Sequence, residues 1–163
     1  MQLTRFASVM IVMGSRSDWP VMQQATRVLQ DLEIDFETAV VSAHRTPRRM
    51  VLFAEQAQAN GVQVIIAGAG GAAHLPGMIA AITNLPVVAV PVSSRFMNGL
   101  DSLLSVVQMP KGVAVATQAV GESGAYNAGL MAAQILALSD KPLAQRLAMW
   151  RNNQTNAVPL EVE

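Results

Sequence analysis

Short apolar runs alternate with stretches that carry an apolar stripe at helical spacing along most of this chain. A run rich in β-branched residues at 8–13 predicts the first strand, and apolar residues at 21/22, 25, 28/29 and 32 predict a helix that begins near Asp18. A partly alternating segment at 34–41 predicts the second strand, and Pro47 predicts the first turn of a helix that Gly61 ends. The chain therefore begins with two strand–loop–helix units.

The same alternation continues to the C-terminus. Further strands are predicted at 62–67, 86–90 and 113–117, and further helices at 75–82, 98–108, 121–138 and 142–152. Helices of this length between strands produce right-handed crossovers and a parallel sheet covered on both faces. We predict an α/β fold, a three-layer sandwich with a parallel five-stranded sheet and a C-terminal helix. The 163 residues suit one domain, with a core at about 8–152 and a loose C-terminal tail.

A long stretch at 56–94 contains no Asp, Glu, Lys or Arg. A membrane-spanning helix is one interpretation of it, but such a helix needs about 20 consecutive apolar residues. The residues that interrupt the stretch are Gly68, Gly70, Gly71, Pro76, Asn84, Pro86 and Pro91. Because they leave only shorter pieces, the sequence favours buried strands and a helix at an interface.

The chain is poor in charge for a protein that works alone in water. Charged residues make up 13% of it and its mean hydropathy is +0.34, whereas a charged fraction of about 25% is typical. A folded monomer of 17.3 kDa exposes about 7,800 Å², so these charges are thinly spread. We therefore expect much of the surface to face other subunits.

Composition excludes several classes of partner. Lys plus Arg and Asp plus Glu both number 11, so no basic field exists to attract nucleic acid or an anionic membrane. The absence of cysteine excludes disulfides and fits a reducing compartment, so we expect the cytoplasm. The apolar run before Gly14 is too short for a signal sequence, and we interpret it as the first strand.

Side chains that can do chemistry are concentrated in three loops, each at the carboxyl end of a predicted strand. The loops read MGSRSDW, SAHRTP and GAGGAAHLPG and follow the first, second and third strands. Ligands of open parallel sheets bind beyond the carboxyl ends of the strands, near the point where strand order reverses. We therefore expect the three loops to converge on one site.

The first loop allows a structural and a functional interpretation. Gly14 permits an unusual turn, and Ser15, Ser17 and Asp18 can either cap a helix or surround an anion or a sugar hydroxyl. Capping is the more common role for Ser and Asp at such positions. If Asp18 contacts a ligand, its carboxylate favours a ribose diol over a phosphate.

The second loop gathers a hydroxyl, an imidazole and a guanidinium. In the structural interpretation, His44 satisfies a buried backbone group and Arg45 is a solvated charge. In the functional interpretation, Arg45 makes a bidentate phosphate contact, Ser42 adds a hydroxyl, and His44 exchanges a proton near neutral pH. The position at a strand end favours the functional interpretation.

The third loop is similar to a dinucleotide-binding fingerprint, with Gly68, Gly70 and Ala73 at the required spacing. That fingerprint needs an acid about 20 residues further on, where this chain reads VVAVPVSS, so nicotinamide binding is not expected. The glycines allow backbone amides to approach a flat substrate, and His74 is either structural or a substrate contact. With two His and no dense acidic cluster, no metal site is expected either.

Taken together, the segments VMGSRSDW, VVSAHRTP and IIAGAGGAAHLPGMIAA closely resemble the class I PurE family, the N5-carboxyaminoimidazole ribonucleotide mutases. The resemblance runs from about Val9 to Trp150 and includes GLDSLLSVVQMPKGV. The animal-type carboxylases that share the fold carry a lysine and a different continuation after the shared histidine. Arg45, Thr46 and Pro47 therefore favour the mutase class.

The resemblance implies a flavodoxin-like sheet, assembly as a homo-octamer and a role in de novo purine biosynthesis. The implied reaction converts N5-carboxyaminoimidazole ribonucleotide to 4-carboxy-5-aminoimidazole ribonucleotide without ATP, metal, biotin or another cofactor. By this resemblance His44 is the general acid/base. The family's substrate contacts match Ser15, Asp18 and Arg45, and its pocket matches Ser42, Gly70, Gly71, Ala72, His74 and Leu75.

The implied chemistry is within the reach of one histidine. An aminoimidazole is an electron-rich enamine, so its ring carbon can attack carbon dioxide without a cofactor. His44 can protonate the carbamate nitrogen and later accept the proton of the ring carbon. A small pocket of Gly and Ala would retain carbon dioxide and keep water out.

Two segments depart from the family pattern. Ala114, Ala116 and Gln118 stand where Pro, Gly and Leu are usual, and SSRFMNG is bulkier than usual. Because neither segment belongs to the three loops, we expect effects on packing, assembly or rate before any change of reaction.

Two other functions stay open at this point. One is a direct aminoimidazole ribonucleotide carboxylase with the same fold and site. The other is a catalytically silent nucleotide-binding scaffold, against which His44 argues, because a pure phosphate binder does not need a titrating group beside Arg45.

Overall fold

Five parallel strands form one sheet in the computed structural model, which describes residues 7–162. The strands are β1 (Val9–Met13), β2 (Phe36–Val40), β3 (Val64–Gly70), β4 (Val87–Val92) and β5 (Ala116–Thr117). Their order, β2-β1-β3-β4-β5, is the doubly wound order of flavodoxin-like proteins. The predicted fold class is confirmed. The interpretation of the N-terminus falls partly on residues 1–6, which lie outside the described residues.

Helices cover both faces of the sheet. They are α1 (Trp19–Met22), α2 (Gln24–Asp31), α3 (Pro47–Gln56), α4 (Leu75–Ala80), α5 (Leu100–Val107), α6 (Glu122–Ala137) and α7 (Lys141–Ala157). Because side chains alternate along a strand, Val9, Ile11 and Met13 share a core with α2 and α6, whereas Met10 and Val12 share one with α3 and α4. The sandwich therefore has two buried cores, one on each side of the sheet.

The charge-free stretch at 56–94 forms the interior strands β3 and β4 and the short helix α4 between them. Every residue of β4 is buried, and β3 is buried as far as Ala69. The prediction of buried strands is confirmed. Within residues 7–162, no helix combines the length and the apolar character needed to cross a membrane.

The third strand is longer than predicted. The sequence predicts a loop from Gly68 onward, but β3 continues because Gly68 and Gly70 pair with Val90 and Val92 of β4. A Cβ at position 68 would collide with the side chain of Met22, so any other residue there would require Met22 to move. The third loop therefore begins at Gly71, and Gly70 ends the strand.

Two predictions near the C-terminus need correction. The fifth strand contains only Ala116–Thr117 rather than 113–117, and α7 continues to Ala157 rather than ending at 152. The helix stops there because the residue before a proline disfavours helical dihedrals, and Val158, which precedes Pro159, is extended with ψ 117°. The C-terminal tail therefore begins at Val158.

Helices α2 and α6 approach each other through small residues. A Cβ at Gly129 of α6 would lie only 2.6 Å from the carbonyl oxygen of Ala25 in α2. Ala128 and Ala132 of α6 are fully buried on the same side of the sheet. The backbones of α2 and α6 are therefore too close at this point for any side chain larger than that of glycine. A side chain at 129 could be accommodated only if a whole helix moved.

We expect Gly129→Ala to destabilise the fold. The added methyl would press on the Ala25 carbonyl, and separating the two helices should cost about 1–3 kcal/mol. Urea denaturation at fixed protein concentration measures the loss, with Asn127→Ala, an exposed position on the same helix, as the matched control. Equal stability of the two variants would contradict the expectation.

Candidate functional site

The three loops converge because β1 lies between β2 and β3 in the sheet. Met13 at the end of β1 pairs with Val40 of β2 and with Gly68 of β3, so the three strands end near one another. The loops that follow them line one cleft of about 460 Å³. The predicted site residues that line it are Ser15, Asp18, Ser42, His44, Arg45, Gly70, Ala72 and Leu75.

In the first loop, Ser15 and Asp18 form a capping box. The carboxylate of Asp18 accepts a hydrogen bond from the backbone N–H of Ser15 at 3.0 Å, and the hydroxyl of Ser15 accepts one from the N–H of Ser17 at 3.3 Å. Both side chains therefore have the capping role that the sequence allows. Because both also line the cleft, the same short turn presents a hydroxyl and a carboxylate to a ligand.

The unusual turn that Gly14 permits does not form. Gly14 does not have a positive φ, unlike Gly71 at +66°. A Cβ at Gly14 would lie 3.7 Å from an oxygen of Asp18, which is an ordinary contact. The backbone carbonyl of Gly14 contributes to the site instead, because it accepts a hydrogen bond from Arg45.

Asp18 is a carboxyl group of this cleft whose pKa departs from its ordinary value. Partial burial raises the pKa of Asp18 above its ordinary value of 3.8, although the Ser15 N–H and the charge of Arg45 both lower it. Burial disfavours the charged form because the carboxylate loses water. The cleft therefore already excludes part of the solvent around this group.

The second loop is a tight turn held by Ser42 and Thr46. The hydroxyl of Thr46 donates to the carbonyl of Ser42 and accepts from its N–H, each at 3.0 Å. The hydroxyl of Ser42 accepts from the N–H of Arg45 at 3.2 Å, and Pro47 opens α3 as predicted. This turn fixes His44 and Arg45 at the edge of the cleft.

The side chain of Arg45 ties the second loop to the first. Its Nη2 donates to the carbonyl of Gly14 at 3.1 Å and its Nε to the hydroxyl of Ser42 at 3.4 Å. A guanidinium carries five N–H groups, so the residue retains donors beyond these two contacts. Because Arg45 is exposed and lines the cleft, those donors are suited to an anion bound there.

His44 and His74 form a hydrogen-bonded pair that joins the second loop to the third. Nε2 of His44 lies 2.9 Å from Nδ1 of His74, and the rings meet edge to face with centroids 4.9 Å apart. One nitrogen must donate and the other must accept, so the bond is lost if both rings are doubly protonated. The placement of the hydrogen on one ring therefore fixes which nitrogen of the other ring donates or accepts. His74 reaches the site through His44, since it does not line the cleft itself.

Gly70 and Gly71 bring the backbone of the third loop to the cleft. A Cβ at Gly70 would lie 3.3 Å from the carbonyl oxygen of Val92, so a side chain there would press on the end of β4. Gly71 has a φ of +66°, which favours glycine, and it stands in the chain between the lining residues Gly70 and Ala72. The peptide groups here are free of side chains that would hold a ligand away.

Four further residues line the cleft: Gly14, Ser17, Ala43 and Ala69. Gly14 and Ser17 belong to the first loop, which the sequence singles out. Ala43 and Ala69 carry no chemical signal, and only their position next to His44 and Gly70 in the chain connects them with the site.

A second cleft, of about 440 Å³, lies at the opposite edge of the sheet. Its lining includes Ser8, which precedes β1, and Arg146 of α7, so it is at the amino ends of the strands. It contains none of the predicted site residues. Among residues 7–162, no three His, Cys, Asp or Glu side chains are grouped so that they could hold a metal ion.

Comparison with known proteins identifies related chains over nearly the whole length. The family model described as AIR carboxylase matches residues 8–157. An N5-carboxyaminoimidazole ribonucleotide mutase of Haemophilus influenzae is 58% identical over 156 residues, which cover 96% of this chain and 95% of that protein. The protein of the same name from Escherichia coli K12 is 59% identical over 152 residues, covering 93% of this chain and 90% of that one.

A solved structure shares the fold. The crystal structure of Treponema denticola PurE superimposes with a TM-score of 0.82 at 26% sequence identity, and the match covers 91% of each chain.

We expect Arg45→Met to raise the pKa of Asp18 further. The substitution removes the positive charge that lowers this pKa, so the carboxyl group should titrate at a higher pH. Carbon-13 NMR of labelled aspartate carboxyl groups measures the titration, with Arg48→Met, an exposed position in the first turn of α3, as the control. The expectation fails if the Asp18 titration is unchanged or moves to lower pH.

Proposed function

Because the chain belongs to the AIR carboxylase family, we propose that it catalyses the N5-carboxyaminoimidazole ribonucleotide mutase reaction of de novo purine biosynthesis. Relatives at 58% and 59% identity carry that name. The observation that carries the proposal is a single cleft lined by His44, Arg45 and Asp18. It combines a proton-transfer group, an anion-binding group and a carboxylate for a sugar, as a ribonucleotide substrate requires.

The reaction moves one carboxylate within the same ribonucleotide. Protonation of the exocyclic carbamate nitrogen breaks its bond to the carboxylate and releases carbon dioxide. The electron-rich ring carbon C4 then attacks carbon dioxide, and loss of the C4 proton to a base restores the aromatic ring. One proton is given and one is taken back, so the chemistry balances without a cofactor or an outside reactant.

In this proposal His44 both gives and takes the proton, and its bond to His74 prepares it for each step. As an imidazolium, His44 carries a hydrogen on both ring nitrogens, so Nε2 donates to His74 while the other nitrogen gives its proton to the carbamate nitrogen. His44 is then a neutral imidazole, and the same nitrogen takes the C4 proton while Nε2 still donates to His74. The bond to His74 therefore orients the ring in both half-reactions.

The remaining lining residues bind the substrate in this proposal. The guanidinium of Arg45 and the hydroxyl of Ser42 bind the phosphate, while Asp18 and Ser15 bind the ribose. The walls around the aminoimidazole come from Gly70, Ala72 and Leu75, and Gly71 and His74 support these walls from within the same loop. A pocket with small walls holds carbon dioxide near C4 between its release and its recapture.

We expect His44→Asn to retain ribonucleotide binding and to lose turnover by about 10²–10⁴-fold, the range that general acid/base groups contribute. The phosphate and ribose contacts of Arg45 and Asp18 remain, so calorimetry with the ribonucleotide product should give an affinity near that of the unmodified protein. An absorbance assay of the mutase reaction measures turnover, and Glu55→Gln, exposed on α3, serves as the control. Turnover near normal in His44→Asn would remove His44 from the mechanism.

Direct carboxylation is the second candidate function, because the matching family model is described as AIR carboxylase. The two functions differ in substrate, so the purified protein is assayed with N5-carboxyaminoimidazole ribonucleotide and, separately, with the unmodified ribonucleotide plus bicarbonate. Saturable turnover only with the second pair would reject the mutase. Binding heat without any absorbance change would indicate a silent nucleotide-binding scaffold.

The exposed apolar surface supports assembly, and we propose a homo-octamer in the cytoplasm. Leu100, Leu104 and Val107 follow one another on one face of α5 and are 47%, 57% and 43% exposed, and Phe96 in the preceding loop is 89% exposed. Contiguous apolar surface of this kind is typical of an interface.

We expect light scattering to give the mass of an octamer of 17.3 kDa chains. Leu104→Glu places a charge in the proposed interface and should lower the mass. The same substitution at Leu138, which is 88% exposed at the end of α6, should leave the mass unchanged. A monomeric wild-type protein would overturn the assembly without bearing on the reaction.

A further inference from the structure

A buried serine outside the cleft holds the third loop in place. Ser102 of α5 is fully buried and does not line the cleft. Its hydroxyl donates to the carbonyl of Val92 at 2.6 Å and accepts from the N–H of Gly71 at 2.9 Å. These contacts use the single proton of the hydroxyl and one lone pair. Ser102 therefore connects the end of β4 to the first residue of the third loop.

Ser105, one turn further along α5, bonds the backbone carbonyl of Gly71. Its hydroxyl lies 3.1 Å from the carbonyl oxygen of Gly71 and 2.6 Å from that of Asp101. Both partners are acceptors, so the single O–H is shared between them. The N–H and the C=O of Gly71 are thus both bonded to α5.

Gly71 is the position at which such a restraint matters. As a glycine with a φ of +66°, it can adopt many backbone conformations. Its neighbours Gly70 and Ala72 line the cleft. The N–H of His74 donates to the carbonyl of Ala72 at 2.8 Å. A rotation at Gly71 would therefore displace the cleft wall and His74 together.

We propose that Ser102 and Ser105 are positioning residues of the site, which fix Gly71 and thereby hold His74 against His44. The kinetic consequence of this inference rests on the proposed function, because proton transfer by His44 depends on the alignment of the pair. The two serines act through the backbone of the third loop and not on the substrate. The phosphate and ribose contacts of the first and second loops do not depend on them.

The kinetic test separates alignment from binding. Ser102→Ala and Ser105→Ala should lower kcat by about 10-fold or more, since small misplacements of reacting groups cost up to about 10²-fold, whereas KM should change little. Ser105→Thr retains the hydroxyl at an exposed position and should keep kcat. Ser139→Ala removes a hydroxyl that donates to the carbonyl of Leu136 at 3.3 Å, and is the matched control.

A second measurement does not require turnover. The chain contains only two histidines, His44 and His74, so nitrogen-15 NMR of untagged protein reports the tautomers of the pair directly. The imidazole signals should change in Ser102→Ala and Ser105→Ala and stay unchanged in Ser105→Thr and Ser139→Ala. If the wild-type protein lacks mutase activity, the proposed function fails, and this measurement still decides the positioning role.

Unchanged imidazole signals in both alanine variants would overturn the inference. So would a normal kcat, even if urea denaturation showed a loss of stability, because that result would assign the serines to the fold alone. If Ser102→Ala does not fold, the comparison of Ser105→Ala with Ser105→Thr decides the question at a surface position.

Discussion

Parallel pairing of β1 with both β2 and β3 is the constraint on which the cleft depends. Met13 has a partner on each side, Val40 and Gly68, so three strands that are distant in the sequence deliver their following loops to one edge. The first loop supplies the capped turn with Asp18, the second supplies His44 and Arg45, and the third supplies a backbone without side chains. Without the central place of β1, these groups would lie at separate points of the sheet.

Hydrogen bonds between the loops then hold the groups in a fixed arrangement before any ligand binds. Arg45 bonds the carbonyl of Gly14, and His44 bonds His74. The second loop is therefore connected by hydrogen bonds to both the first and the third. Prearranged groups need less reorganisation during a reaction. Helix α5 takes part in this on its buried side, where Ser102 bonds Gly71, while Leu104 on its other side is exposed. One short helix thus serves the site and presents the surface proposed for assembly.

The fold is largely predictable from the sequence because burial repeats with a period. The charge-free stretch predicts buried strands, and the alternation of strands with helices predicts the parallel sheet; both are confirmed. The errors occur where something other than burial decides an element's end. β3 continues to Gly70 because β4 pairs with it, and α7 continues until Pro159 prevents another turn. Neither limit is visible in hydrophobic spacing, which reports burial and not pairing.

The sequence by itself determined the layered fold and the three loops that carry the chemistry, because apolar periodicity and the position of loops after strands are local properties of the chain. Only the tertiary structure decided which groups within those loops meet. The bond between His44 and His74 and that between Gly71 and Ser102 join residues 30 and 31 positions apart. Such contacts depend on strand order and on how helices pack over the sheet, and a pattern of burial along one dimension does not encode either.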